Sequence, residues 1–111
     1  MISKRFVDKG GKVVARVTFS LPSSLWVDKV CLVGEFNGWN PESLPFSRAE
    51  DGSWVLTMDF ECGRRYEFRY LCDGREWMND NQADAYVPNR FAGSNCVLIL
   101  DHPSGPCPSE S

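Results

Sequence analysis

Apolar and polar residues alternate along most of this chain, and the alternation has a period of two. In VVARVTFSL, Val13, Ala15, Val17, Phe19 and Leu21 fall on one face, and Arg16, Thr18 and Ser20 on the other. β-Branched residues in this pattern predict a strand with one buried face, ended by Pro22. The stretch from about Val27 to Phe36 is apolar on both faces in its middle, which predicts a strand central in its sheet. SWVLTMDF puts Trp54, Leu56, Met58 and Phe60 inward. RYEFRYLC puts Tyr66, Phe68, Tyr70 and Cys72 inward and Arg65, Glu67, Arg69 and Leu71 outward. Asp51-Gly52 and Asp73-Gly74 are turn signals. REWMN reads as a short strand and NCVLIL as the last one, with polar loops over 37–50 and 80–94.

No stretch shows the 3.6-residue period of a long helix. Many short strands joined by turns predict an all-β domain, an antiparallel β-sandwich. Its body spans residues 12–101. Residues 1–11 read as a lead-in, and the Pro-, Ser- and Gly-rich residues 102–111 as a disordered tail.

Composition narrows the function. The chain has 111 residues, a formal net charge of −3 and four tryptophans. An acidic balance disfavours nucleic acid as a partner, since such binding rests on dense Lys and Arg. No segment has the length of a membrane span, and the charged start lacks the apolar stretch of a signal peptide. The expectation is a cytoplasmic protein. Cysteines 31, 62, 72, 96 and 107 contain no C-x-x-C pair and read as free thiols in a reducing compartment.

Catalytic machinery is hard to assemble. The single histidine, His102, lies in the tail, which removes the usual Ser-His and Cys-His designs and His-based metal sites. There is no Gly-rich phosphate loop. Asp59, Glu61, Glu67, Asp80 and Asp84 read as solvated edges and turns rather than a glycosidase pair. The expectation is a non-enzyme without metal or cofactor.

Trp39 stands out, because it lies in a Gly- and Asn-rich loop, VGEFNGWNPESLPF, away from any strand pattern. It either caps the core under the loop or is presented for stacking. Trp54 is in phase with a buried face and reads as core. Trp26, at a strand entry, reads as packed.

These motifs in order, VCLVGEFNGWNPESLPF, DGSW, YEFRYLCDGREWMNDNQADAYVPN and RFAGSNCVLIL, closely resemble carbohydrate-binding module family 48, the isoamylase N-terminal-like or early set domain. The resemblance covers about residues 12–101 and is closest to small free-standing bacterial members. It implies an immunoglobulin-like sandwich that binds α-1,4-glucans such as glycogen, starch and maltodextrins. The glycogen-binding domain of the AMP-activated protein kinase beta subunit belongs to the same family.

Carried over residue by residue, Trp39 and Trp77 match the family's two stacking tryptophans. Arg69 stands where a lysine contacts the sugar, Asn95 matches the asparagine that begins the last strand, and Phe91 lies near an inserted apolar residue. The hairpin before Trp77 carries one residue more than the family pattern. Arg in place of Lys keeps the charge but changes the donor geometry. The physics fits a sugar, whose C–H face suits an indole while its hydroxyls need forked donors and acceptors.

Read from the residues alone, Trp77 is also compatible with an ordinary hairpin aromatic, Arg69 with an ion pair to Glu67 or Asp73, and Asn95 with a turn. The alternative function is a protein-docking module for a glycogen-metabolising enzyme or kinase, its apolar patch formed by the aromatics and an outward Leu71. A glycoside hydrolase would be an association of the family rather than a property of these residues.

Overall fold

The computed structural model describes residues 1–89 and 93–101. Phe91, His102, Cys107 and the tail therefore lie outside the described residues. The strands are β1 (Ile2–Lys9), β2 (Lys12–Leu21), β3 (Val30–Gly34), β4 (Ser47–Arg48), β5 (Trp54–Glu61), β6 (Arg65–Cys72), β7 (Glu76–Met78), β8 (Ala85–Pro88) and β9 (Ser94–Ile99), with a 3-10 turn at Glu35–Asn37. They form two antiparallel sheets, β1-β2-β5-β4 and β3-β6-β9-β8, with β7 also paired to β6. The sheets pack face to face as a β-sandwich.

The inward faces are those that the alternation predicts. Ala15, Val17, Phe19, Trp54 and Phe60 from one sheet meet Leu32, Phe68, Tyr70, Cys96 and Leu98 from the other in one buried cluster. Phe19 is the hinge of this core, edge-on to Phe68 at 5.5 Å and to Tyr70 at 6.5 Å between ring centroids.

Several elements differ from the sequence reading. The residues read as a lead-in form β1, an edge strand that pairs with β2 from Ile2↔Phe19 to Lys9↔Lys12. Its charges mask the strand pattern, as suits an edge that must not aggregate. Lys4 carries β1 across the sandwich: its Nζ donates to Asp84 Oδ2 at 2.6 Å and to the Ile99 carbonyl at 2.9 Å.

β3 lies at the end of its sheet's strand order rather than at its centre. Its free edge is covered by the segment around Pro45, with Leu32 N donating to Leu44 O and Phe46 N to Val30 O. Both of its faces are nonetheless buried, because Cys31 and Val33 join Leu71 in a second small cluster. Leu71 is 4% exposed, so it adds nothing to an exposed apolar patch. The polar stretch 80–94 contains β8, hidden in sequence by its flanking Asp, Asn and Pro residues.

Asp80 is no solvated turn residue. It is 3% exposed and accepts from Tyr70 Oη at 2.8 Å and Gln82 N at 2.7 Å. Burial, helped by the Asp80 charge, pushes the Tyr70 phenol far above its ordinary pKa. Cys31, Cys72 and Cys96 are buried free thiols, and burial pushes each of them up, which makes poor nucleophiles. Cys62, expected to be free, is disulfide-bonded; it sits in the β5–β6 turn rather than in the core.

Candidate functional site

The outward face of the β3-β6-β9-β8 sheet gathers most of the residues singled out in sequence. On β6, Glu67, Arg69 and Leu71 point away from the core that Phe68 and Tyr70 enter. Cross-strand pairing puts Val33 opposite Arg69, Trp77 opposite Leu71, and Val97 opposite Glu67. Pairs directly opposite share a face. Trp77 is thus on Arg69's face, 47% exposed, with the Arg69 guanidinium carbon 5.8 Å from its ring centroid. That is within cation–π range. The hairpin closes in a turn in which Asp73 and Gly74 both have positive φ, and β7 pairs with β6 from Cys72↔Glu76 to Tyr70↔Met78.

Arg69 makes no ion pair with Glu67 or Asp73. Its Nε donates to Asn79 Oδ1 at 2.8 Å, and Asn79 Nδ2 donates to Ser94 O at 2.8 Å. Asp73 Oδ1 instead accepts from the backbone N–H groups of Asp28 and Lys29. The terminal nitrogens of Arg69 make no hydrogen bond with the described residues, so a fixed guanidinium presents free donors beside an exposed indole.

Asn95 lies inside β9 rather than in a turn before it. Its Nδ2 donates to Glu67 Oε1 at 3.1 Å, and its Oδ1 accepts from Asn89 Nδ2 at 3.2 Å. Each end of its amide keeps further capacity, one N–H and one lone pair. Asn79, Glu67 and Asn89 were not singled out in sequence as site residues. For Asn79 a signal existed, since it lies two residues beyond Trp77.

Trp39 is built by a different device. Phe36 turns into the core, edge-on to Phe60 at 5.1 Å and Tyr66 at 5.7 Å. Asn37 holds the loop: its Oδ1 accepts from Gly34 N, and its Nδ2 lies within hydrogen-bonding distance of Leu32 O, Asn40 O and Ser43 Oγ. Gly34 is required by space. A Cβ there would lie 2.6 Å from the Glu67 carbonyl and 2.8 Å from the Phe36 ring. Gly38 and then Trp39 itself take left-handed conformations, with φ of 64° and 59°. For a bulky residue this costs about 1–3 kcal/mol and is met mostly where function holds it. Trp39 N donates to Gly34 O at 2.9 Å, and its side chain is 38% exposed. The loop thus returns to Gly34, the residue after Val33, which pairs with Arg69.

Trp54 is core, as expected, at 5% exposure with the Arg48 guanidinium 4.1 Å over its ring. Trp26, expected to pack, is 93% exposed. It sits in the connection between β2 and β3, where Leu25 and Val27 turn toward the core and leave no place for the indole between them. Among the described residues no group of three or more His, Cys, Asp or Glu could hold a metal ion, and no helix is long and apolar enough to cross a membrane.

No family model matches the chain. Among curated proteins it is similar to a 1,4-alpha-glucan branching enzyme GlgB of Photobacterium profundum, 36% identical over 63 residues, which is 56% of this chain and 9% of that enzyme. It is also similar to a 1,4-alpha-glucan branching enzyme GlgB 2 of Xanthomonas campestris pv. campestris, 39% identical over 49 residues, 42% of this chain and 7% of that enzyme. The chain thus spans less than a tenth of the length of these relatives. The similarity links it to carbohydrate metabolism and is consistent with a carbohydrate-binding role.

Proposed function

We propose that this domain is a non-catalytic binder of α-1,4-glucans, in the manner of carbohydrate-binding module family 48. Trp77 and Trp39 stack on the C–H faces of glucose units. The terminal donors of Arg69 and the spare amide capacity of Asn95 engage hydroxyls. The observation that carries this reading is the fixed Arg69 beside the half-exposed Trp77, with terminal donors that none of the described residues uses. Similarity to two α-glucan branching enzymes supports the α-linked class. Phe91 lies outside the described residues and has no part in the argument. A shallow site of this kind corresponds to affinities from roughly millimolar to tens of micromolar.

The test is a titration of tryptophan fluorescence with maltoheptaose, with cellohexaose as control, on the parent and on Trp39→Ala and Trp77→Ala. A saturable change with the α-glucan alone, lost in the variants, is expected. An unchanged response in the variants, or none in the folded parent, refutes the reading.

A further inference from the structure

Trp26 is the most exposed tryptophan of the chain, and the sites above make no use of it. It borders an open groove of about 460 Å³ with Ser23, Asp28, Arg48 and Asp73. That volume is within the ~300–1,000 Å³ range of small-molecule sites. The loop that bears the ring is fixed. Leu25 N donates to Pro22 O, Val27 N to Leu25 O, and the N–H groups of Asp28 and Lys29 both to Asp73 Oδ1. The backbone that carries the exposed indole is ordered before any ligand arrives, which lowers the entropy lost on binding.

The polar groups around the ring are poised in the same way. Arg48 is held against Trp54 and donates Nη1 to Gly52 O at 3.0 Å, leaving its other N–H groups without a partner among the described residues. Asp73 commits Oδ1 and leaves Oδ2, while the Asp28 carboxylate and the Ser23 hydroxyl make no hydrogen bond to the described residues. A groove for an apolar protein surface would bury uncompensated charges here. A ring that is apolar on one face and rimmed by hydroxyls satisfies all of these groups at once. Carboxylates accept from hydroxyls, the guanidinium donates to them, and the indole takes the C–H face.

We infer that the Trp26 groove is a second sugar-binding site, separate from the outward face of the β3-β6-β9-β8 sheet. Its ligand is a neutral pyranose unit of a larger glycan, with glucose as the class; that choice of sugar rests on the function proposed above. The β6–β7 hairpin connects the two sites: its turn supplies Asp73 to the groove, and its second strand supplies Trp77 to the sheet face. A branched polymer can engage both, and the second contact is then made at high effective concentration.

The four tryptophans give four indole N–H signals in a ¹H–¹⁵N spectrum, assigned by single Trp→Phe replacements. The full chain is titrated with maltose, and separately with the matched buffer alone as a blank. The inference expects the Trp26 signal to shift saturably, and to do so also in the Trp39→Ala/Trp77→Ala double variant. It expects Trp26→Ala, folded because the ring touches little, to lose several-fold in retention on glycogen while the Trp77 shift with maltose is unaltered.

Shifts at Trp39 and Trp77 with a fixed Trp26 signal overturn this inference and leave the sheet-face site standing. A shift at Trp26 alone upholds it and refutes the sheet-face site. No shift anywhere overturns both. A Trp26 signal that moves with protein concentration, and not with maltose, overturns the inference in favour of contact between copies of the chain.

Discussion

Arg69 Nε donates to Asn79 Oδ1 at 2.8 Å, which makes Asn79 the residue that aims the guanidinium. Its own amide is tied to the Ser94 carbonyl, so the aim is fixed to the start of β9. Asn79→Ala is expected to weaken maltoheptaose binding about 2- to 10-fold by calorimetry, the worth of one lost hydrogen bond. Because Asn79 acts through Arg69, the same substitution in an Arg69→Ala background is expected to change binding little further. Full additivity of the two losses counts against this role.

The left-handed backbone at Trp39 separates its two duties. Trp39→Gly is expected to remove the glucan contact and yet hold or raise stability by about 1 kcal/mol, since glycine adopts positive φ without strain. Trp39→Ala is expected to lose binding without that gain. Denaturant melts of the two variants, beside glycogen retention, check the contrast. A Trp39→Gly variant well below Trp39→Ala in stability would show that the ring holds the fold.

Tyr70→Phe is expected to destabilise the domain by about 1–3 kcal/mol in urea unfolding, because the buried Asp80 carboxylate loses a donor. The Tyr70 phenol lies on the inward face of the sheet whose outward face bears Arg69 and Trp77, so maltoheptaose affinity of the folded variant is expected to stay within twofold or so of the parent. An affinity loss well beyond the stability loss would contradict that separation.

Asp59 accepts from Arg16 at 2.8 Å and Lys9 at 2.9 Å, and these hydrogen bonds, Arg16's first, hold its carboxyl well below the usual range. The folded pKa is lowered, so its contribution is present above the unfolded value and lost as pH falls through the folded one. Thermal melts are expected to show Asp59→Asn below the parent at neutral pH, with the difference shrinking only at strongly acidic pH, below the ~3.9 of a free aspartate. The gap is expected to be modest and to narrow in high salt, as the groups are solvent-exposed. A gap that persists unchanged into strong acid would refute the ionic origin.

What could be read from the sequence follows the physics of one-sided burial. β2, β5 and β6 each place one face in the core, so their alternation survives in the residues, down to Phe68 and Tyr70 in and Arg69 out. β1 escapes because its edge strand is charged, and β8 because it is only four residues long, is bounded by Asp84 and Asn89, and ends in a proline. β3 misleads, because two-sided burial can come from a second cluster as well as from a central place.

Trp39, Trp77, Arg69 and Asn95 entered the candidate site through the family resemblance. Asn79 carried only the signal of its place two residues beyond Trp77, because its importance lies in contacts to Arg69 and Ser94, 10 and 15 residues away. Trp26 and Asp80 show the limit most plainly. Residue type favours an indole inside and a carboxylate outside, and the tertiary structure reverses both.

The stitch that Lys4 makes to Asp84 and Ile99 joins residues 80 and 95 positions apart. The two sheets are therefore sealed along that side by contacts among the most distant in the chain, and their closure entropy must be met before they form. During synthesis the first hairpin must wait, its edge unguarded, until β9 has emerged from the ribosome. High contact order of this kind puts folding on the millisecond-to-second scale of all-β sandwiches. The basic and acidic residues of β1 then act in time as well as in space, keeping its open edge from pairing with a neighbouring chain before the Lys4 contacts have formed.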